Sequence, residues 1–187
     1  MYRALAWAVR ERGISLEDAD AVCRLSQEVE LHLRPDPESG TRVFVGERDV
    51  SDEIRTSEIS NLTSPLSALP CVRRRLAALQ KEMGARGGVV MEGRDIGTVI
   101  MPQAAVKVFL TASPAQRAQR RQAELAARGI ATDLPTLQRE IAERDERDGS
   151  RDVAPMAPAE DAVLLDSDQL SVAEVVAKIL ALHEEAR

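Results

Sequence analysis

The chain has 187 residues, of which 44% are apolar and 30% are charged, a composition typical of one compact globular domain. Its formal net charge of −6 argues against nonspecific nucleic-acid binding as the main role, because a phosphate backbone attracts basic surfaces. No apolar stretch approaches the roughly 18 residues that cross a bilayer, and the N-terminus has no signal pattern. We therefore expect a cytoplasmic protein with no membrane partner.

The first half of the chain predicts helices around a small antiparallel sheet. Apolar residues at helical spacing predict a helix over residues 2–12, which Gly13 ends, and a second helix that starts at Ser15. Alternating polar and apolar residues predict a small antiparallel β meander over residues 29–50. Further helices are predicted over residues 52–62 and 72–83, with Pro65 and Pro70 as the breaks.

The second half of the chain alternates strands with helices. Short apolar runs predict buried strands over residues 88–91, 106–110 and 162–166. Helices are predicted over residues 114–128, 134–147 and 171–182, and the last of these is amphipathic. This alternation predicts an α/β fold, in which a parallel sheet carries helices on both faces.

Arginine is far commoner than lysine, with 22 Arg against 3 Lys in the sequence. The planar guanidinium group can bind a phosphate through two hydrogen bonds, whereas the lysine ammonium is a point charge. A bias in genomic composition would produce the same excess. The number of arginines therefore does not show whether they bind phosphate, and only their positions can indicate it.

The sequence contains two cysteines, Cys23 and Cys71, which lie far apart. His32 and His183 are distant from both, so the spacing of a metal site is absent. We expect two free thiols in a reducing cytoplasm and no metal bound by the protein.

The first candidate site follows the predicted strand 88–91. Ligands of open α/β sheets bind at the carboxyl ends of the strands, and here the sequence continues as EGRDIGT. Gly93 and Gly97 allow a tight turn. Arg94 and Asp95 offer a forked donor and an acceptor, which suit a phosphate and a base or sugar. A surface turn with a local ion pair is the alternative.

Two further charged segments are candidates. On the helix after the second strand, Arg117, Arg120 and Arg121 share one face, where an anion would relieve their mutual repulsion. A solvated face aided by Glu124 is the alternative. In the run ERDERD and beyond it, charges recur at three- and four-residue steps, for which a helix with surface salt bridges is the alternative; these residues are Arg144, Arg147, Asp148 and Arg151.

A phosphate-binding loop of the type Gly-x-x-x-x-Gly-Lys-Ser/Thr does not occur in the sequence. The three lysines are at positions 81, 107 and 178, and none follows a glycine. The dinucleotide fingerprint and the serine-nucleophile elbow are also absent. The sequence thus contains no recognisable cradle for the β and γ phosphates of a nucleoside triphosphate.

Three segments occur in the order found in bacterial cytidylate kinases, and the chain resembles that family of nucleoside-monophosphate kinases over nearly its whole length. The segments are VSDEIRT at 50–56, EGRDIGT at 92–98, and ERDERD at 143–148 followed by RDVAP at 151–155. The resemblance implies a parallel-sheet core of the P-loop-kinase type in a single domain, 1–187. It also implies that residues 29–50 are an insertion in the monophosphate-binding part and that residues 113–150 are a lid.

The resemblance further implies a reaction, in which ATP with Mg²⁺ phosphorylates CMP or dCMP to CDP or dCDP. We expect a monomer that acts on these small nucleotides in pyrimidine metabolism and not on nucleic acid. Arg3, Arg73 and Arg94 match positions that bind the phosphate of the nucleotide in this family, and Tyr2 belongs to the segment beside that phosphate. The residues that match positions for the base and the sugar are Ser64, Asp95, Asp148 and Arg151. The catalytic arginines implied are Arg94, Arg117, Arg120, Arg121 and Arg144.

The sequence departs from the family pattern at its start. The family begins with a strand, a Gly-rich phosphate loop, a helix and a second strand, ahead of a segment like Met1-Tyr2-Arg3. We expect the true start to lie upstream of Met1; a nonfunctional fragment and a CMP-binding module without catalysis are the alternatives. Without the first strands, the sheet would have a gap between residues 89–91 and 106–110, and the chain alone would be inactive.

Overall fold

The computed structural model describes residues 1–38, 40–127, 129–150 and 155–186, and the predicted site residue Arg151 lies outside them. The chain forms two compact units, Met1–Gly87 and Gly88–Arg187. Each unit has its own cluster of buried apolar residues. Of the helices described, none has both the length and the apolar character needed to cross a membrane.

The N-terminal unit is built around helix α1, Tyr2–Glu11. The helix predicted over residues 2–12 is confirmed, and it ends at Glu11, one residue before the predicted end. Six consecutive residues, from Ala4 to Val9, are buried. A helix buried on all its sides belongs to the interior of a domain. Gly13 follows the helix with a φ of +61°, a left-handed conformation that favours glycine.

Helix α2, Ala19–Glu28, begins later than the predicted start at Ser15. Asp18 is its N-cap, and the Asp18 carboxylate accepts a hydrogen bond from the Ala21 amide at 2.9 Å. The Ser15 hydroxyl accepts a hydrogen bond from the Glu17 amide, which belongs to a local turn. Both Ser15 and Asp18 can cap a helix, and Asp18, which lies nearer the apolar residues of α2, is the one that begins it.

The antiparallel strands predicted within residues 29–50 are confirmed as a three-stranded meander. Strand β1 (Leu31–Asp36) pairs with β2 (Gly40–Val45), which pairs with β3 (Arg48–Asp49). The Arg34 guanidinium lies 4.3 Å from the centroid of the Phe44 ring, a cation–π contact that links β1 to β2 on one face.

A 3-10 helix, Glu53–Arg55, and helix α3, Ser57–Ala68, occupy the region of the predicted helix 52–62. The prediction of a break at Pro65 is wrong, because α3 continues through it. Proline in a helix interior costs about 3 kcal/mol, but its neighbours Ser64 and Leu66 are buried, and their packing offsets that cost. The predicted break at Pro70 is confirmed, since Pro70 begins helix α4, Pro70–Ala85.

Cys23 on α2 and Cys71 on α4 form a disulfide, with their Cα atoms 5.7 Å apart. The prediction of two free thiols is therefore wrong. The cysteines are separated by 48 positions in the chain, and their spacing does not reveal that α2 packs against α4. The tertiary contact between the two helices brings the thiols together.

The C-terminal unit has the α/β arrangement that the sequence predicts. Strands β4 (Val108–Thr111) and β5 (Val163–Asp166) pair in parallel. The connection between them contains two helices that pack against each other, and a third helix follows β5. These helices are α5 (Pro114–Ala127), α6 (Leu134–Gly149) and α7 (Val172–Glu185).

Residues 88–91 do not form the buried strand predicted for them. Gly87 and Gly88 have φ values of +69° and +61°, and this left-handed conformation is incompatible with an extended strand. A strand also needs a neighbour for its amide and carbonyl groups, but β4 and β5 pair with each other and the described part of this sheet has no third strand. Val90 is 99% exposed as a result.

The prediction of helix α7 is confirmed, but the helix ends three residues beyond the predicted end at Leu182. A capping box between Ser171 and Glu174 begins it. Its apolar residues Val172, Val176 and Leu180 recur at four-residue steps, as an amphipathic helix requires. All three are exposed, and no residue of α7 is buried. The apolar stripe that the sequence predicts is therefore present but is not covered.

Candidate functional site

Residues 93–95 form a bend before a short π-helix, Ile96–Ile100. The Asp95 carbonyl accepts hydrogen bonds from the amides of Val99 and Ile100, at 2.9 and 3.3 Å, and the Asp95 residue is buried. A Cβ atom on Gly93 would lie 2.8 Å from Cγ1 of Ile96, which is too close for two carbon atoms. The tight turn predicted here exists, and it depends on glycine because of packing rather than backbone angle.

Arg94 connects this bend to helix α6. The Nε atom of Arg94 lies 3.3 Å from Oδ2 of Asp148, and its Nη1 atom lies 3.9 Å from Oδ1 of Asp145. Nη1 also donates a hydrogen bond to the Met156 sulfur at 3.1 Å. The fold thus brings together two of the segments that carry the resemblance.

Asp148 is the most deeply buried charged group of this region, with its side chain 2% exposed. Arg144 lies one turn earlier on α6 and places its Nε atom 3.7 Å from the same Oδ2 atom of Asp148. Burial of a carboxylate is costly unless cations lie close to it. Two predicted site arginines, Arg94 and Arg144, therefore converge on one predicted site aspartate.

Arg117 reaches the same place through Asp145, a residue that the sequence patterns do not single out. Both Nη atoms of Arg117 donate to the two carboxylate oxygens of Asp145, with Nη1 to Oδ1 at 3.0 Å. The Nε atom of Arg117 donates to the carbonyl of Ala112, at the end of β4, at 3.0 Å. We call these side chains the arginine–aspartate cluster: Arg94, Arg117, Arg144, Asp145 and Asp148.

Arg120 and Arg121 make different contacts. Arg120 donates from Nη1 to the Ser167 hydroxyl at 3.0 Å and from Nη2 to the carbonyls of Ser167 and Leu170. Arg121 donates to the Glu124 carboxylate at 2.7 Å. Arg120 thus fastens the connection between β5 and α7, and Arg121 makes the local pair that the solvated-face interpretation names. Of the three arginines, Arg117 is the one whose described contacts place it in the cluster.

In the N-terminal unit, Tyr2 and Arg3 begin α1. Arg3 donates from Nη1 to the Ile54 carbonyl at 3.0 Å, and Trp7 donates from Nε1 to the Glu53 carboxylate at 2.8 Å. The hydrogen bond from Trp7 is the main cause that holds the pKa of Glu53 below its ordinary value. These bonds join α1 to the VSDEIRT segment.

Ser64 on α3 and Arg73 on α4 are both buried. Arg73 donates from Nη1 to the Ser67 carbonyl at 3.4 Å, and the Ser67 hydroxyl donates to the Ser64 carbonyl at 2.8 Å. This series of hydrogen bonds holds the end of α3 against the first turns of α4. These hydrogen bonds give the burial of Arg73 a structural reason, and its role in binding a ligand stays a prediction.

A parallel α/β unit with arginines gathered beside the carboxyl end of a strand is typical of the phosphate-binding and nucleotide-binding proteins. The sequence matches the family model for cytidylate kinase over residues 1–185. The chain belongs to the cytidylate kinase family.

Relatives with this name align with nearly the whole chain. It is 47% identical to the cytidylate kinase of Exiguobacterium sibiricum, with 100% of this chain and 83% of the relative aligned. It is 45% identical to the cytidylate kinase of Carboxydothermus hydrogenoformans, with 97% and 82% aligned. It is 43% identical to the cytidylate kinase of Streptococcus pneumoniae, with 99% and 83% aligned.

Proposed function

We propose that the protein transfers a phosphoryl group from ATP to CMP and to dCMP, giving CDP and dCDP. The structural observation that carries this proposal is the arginine–aspartate cluster beside the carboxyl end of β4, formed by residues from three separate segments. The identity of the acceptor nucleotide comes from the family and from the names of the relatives. We further propose that the protein acts as a cytoplasmic monomer on free nucleotides, without a nucleic-acid partner.

Phosphoryl transfer requires little covalent assistance from a protein. It requires alignment of the reacting groups and positive charge around the phosphoryl group that moves. Arg94, Arg117 and Arg144 supply three guanidinium groups against the two carboxylates of the cluster. These five side chains therefore carry a surplus of positive charge, which suits an incoming phosphate.

We propose that the acceptor nucleotide is bound by the predicted substrate-binding residues, two of which, Arg94 and Asp148, belong to the cluster. We propose that Arg3, Arg73 and Arg94, together with Tyr2, recognise the phosphate of this nucleotide. Its base and sugar need hydrogen-bond acceptors for the amino and hydroxyl groups, and carboxylates suit that role. The residues proposed for base and sugar are Ser64, Asp95, Asp148 and Arg151.

Helices α5 and α6 pack against each other and lie within residues 113–150. We propose that this helical pair is a lid, in which Arg117 contributes charge over the phosphates. Arg120 and Arg121 would add their charge only on exchanging their contacts with Ser167 and Glu124 for the phosphates. Closure of a lid excludes water, and so it suppresses the transfer of the phosphoryl group to water instead of to CMP.

We propose that the described residues serve the acceptor and the transferred group rather than the donor. The sequence has no Gly-x-x-x-x-Gly-Lys loop, and backbone amides of such a loop hold the β and γ phosphates of ATP in many kinases. Mg²⁺ usually binds through phosphate oxygens, water and one or two carboxylates. Binding of Mg²⁺ therefore does not require a cluster of three protein ligands, and the described residues contain no such cluster. We propose that these 187 residues supply the acceptor side of this reaction, and that by themselves they bind CMP without transferring phosphate from ATP.

Calorimetric titration with CMP and a coupled assay for ADP release test the proposal together. We expect the 187-residue chain to bind CMP and dCMP and to release no ADP above background. Arg94→Ala should weaken CMP binding at least about tenfold, because a hydrogen bond between charged groups is worth about 1.5–3 kcal/mol. Arg139→Ala is the matched control, since Arg139 is an exposed arginine on α6.

Two results would contradict the proposal in different ways. A chain that unfolds cooperatively but binds neither CMP nor dCMP is not an acceptor-binding unit. A chain that releases ADP in a CMP-dependent manner holds ATP without the motif, and the part of the proposal that concerns the donor would be wrong.

A further inference from the structure

We propose that Asp145 is a positioning residue for the transferred phosphoryl group, and that it acts by fixing the guanidinium group of Arg117. This inference rests on the proposed function, because that function requires positive charge at the phosphoryl group. Asp145 is not among the predicted substrate-binding or catalytic residues. The two arginines that it contacts are: Arg94 is predicted in both roles, and Arg117 is predicted as catalytic.

The contacts of Arg117 fix all three of its nitrogen atoms. Nε donates to the Ala112 carbonyl at 3.0 Å, and Nη1 and Nη2 donate to the two oxygens of Asp145. A guanidinium group held by a planar carboxylate on one edge has a defined plane. Each Nη atom keeps a second hydrogen that the carboxylate does not occupy. Asp145 therefore sets the direction in which Arg117 can offer further hydrogen bonds.

The position of Asp145 also links Arg117 to Arg94. Its Oδ1 atom accepts from Nη1 of Arg117 and lies 3.9 Å from Nη1 of Arg94. The Asp145 carboxylate thus reduces the repulsion between the guanidinium groups of Arg117 and Arg94. Without it, a bound phosphate would have to overcome that repulsion. The two arginines are prepared for an anion before it binds, which lowers the cost of assembling the site.

A purely structural role explains this geometry less well. The side chains of Arg117 and Asp145 are 30% and 22% exposed, so the pair keeps access to water, which limits its contribution to stability relative to a fully buried pair. Helices α5 and α6 are in addition held together by apolar contacts, in which Ala118, Leu125 and Leu137 are buried. The two helices thus have a packed interface that does not depend on the ion pair.

The comparison of CDP with CMP isolates the transferred phosphoryl group, because CDP carries it and CMP does not. We expect Asp145→Asn to weaken CDP binding about tenfold, equal to about 1.4 kcal/mol, and to change CMP binding by less than about twofold. The amide offers one acceptor where the carboxylate offers two, so Arg117 loses its fixed plane. Asp145→Glu restores both acceptors, and we expect CDP affinity within about threefold of the original.

Glu140→Gln is the control, because it removes one negative charge from an exposed position on the same helix; we expect both affinities to stay unchanged. Equal weakening of CDP and CMP by Asp145→Asn, or a lower melting temperature with an unchanged ratio of the two affinities, would show that Asp145 is a structural link only. Tighter CDP binding would show that Asp145 competes with the phosphate, and would also overturn the inference. If the original chain bound neither nucleotide, the proposed function would fail, and the inference with it.

Discussion

The Nε atom of Arg42 on β2 lies 2.5 Å from Oδ2 of Asp49 on β3, and this ion pair closes the meander. The other oxygen of Asp49 accepts hydrogen bonds from the hydroxyl and the amide of Ser51, at 2.6 and 2.9 Å. Ser51 in turn accepts a bond from the Val43 amide at 2.8 Å. One carboxylate thus holds the turn between the meander and the helices that follow it.

These contacts predict how the stability of the meander depends on pH. The hydroxyl of Ser51 and the guanidinium of Arg42 lower the pKa of Asp49 from 3.8 to about 2. A carboxylate with a lowered pKa stabilises the fold above its unfolded pKa, and the contribution is lost as the pH falls from about 4 toward 2. Asp49→Asn should therefore lower the free energy of unfolding at pH 6 and have a smaller effect near pH 2. Urea denaturation at both pH values measures this.

The control for Asp49→Asn is Glu38→Gln, which removes a negative charge from an exposed position beside the same meander. We expect this substitution to change stability little at either pH, because the charge of an exposed side chain is screened by water. An Asp49→Asn protein that is destabilised equally at pH 6 and near pH 2 would mean that its hydrogen bonds, and not its charge, matter.

The disulfide between Cys23 and Cys71 predicts a strong effect of reducing agents. A cross-link between residues that are 48 positions apart corresponds to about 4 kcal/mol of stability in the chain-entropy estimate. Reduction of the protein, or replacement of both cysteines by serine, should therefore lower the free energy of unfolding of the N-terminal unit by about that amount. Denaturation with and without dithiothreitol measures the effect. The double Cys→Ser protein should not respond to dithiothreitol, and an original protein that also fails to respond would contradict the prediction.

The bend before the π-helix predicts different effects for its two glycines. Gly93→Ala places a Cβ atom 2.8 Å from Ile96, and relief of such a clash typically costs about 1–3 kcal/mol. At Gly97 the nearest atom to an added Cβ would be Lys107 Cδ at 3.4 Å, close to an ordinary contact. Melting temperatures and CMP affinity should therefore fall for Gly93→Ala and change little for Gly97→Ala. Equal effects at both positions would mean that Ile96 moves aside freely.

Arg120 and Arg121 are neighbours in sequence, and their contacts predict unequal contributions to stability. Arg120→Gln removes bonds to the hydroxyl and carbonyl of Ser167, which is buried; loss of bonds to a charged donor costs about 1.5–3 kcal/mol. Arg121→Gln removes a pair with the exposed Glu124, worth about 0–1 kcal/mol. Guanidinium denaturation of the two variants measures the difference. Equal stabilities would show that the connection after β5 does not depend on Arg120.

Local patterns predict the elements that depend on local chemistry. Helix α1, the meander and α5 to α7 follow from periodicity, capping residues and glycine, because these signals lie within each element. The run at residues 88–91 has the composition of a strand, but a strand exists only where a neighbour accepts its hydrogen bonds. The disulfide depends in the same way on the packing of α2 against α4, which no local pattern contains.

The candidate site also combines features that the local sequence predicts with features that depend on tertiary packing. The GRD bend and the arginines of α5 and α6 are visible as candidates in the sequence, since their residue types suit a phosphate. Asp145 is hidden among the charges of the ERDERD run. Its spacing from Arg144 and Asp148 shows its place on α6, but only the packing of α6 beside α5 brings it to Arg117.

The bond between Cys23 and Cys71 also makes part of the backbone into a closed ring. The ring contains the whole meander and helix α3, with Ser64, whereas Tyr2 and Arg3 precede it and Arg73 follows it. A single proteolytic cut in the connection between β1 and β2 would open the ring without releasing a fragment. The nicked molecule would keep its mass on a gel until a thiol reductant separated its two pieces.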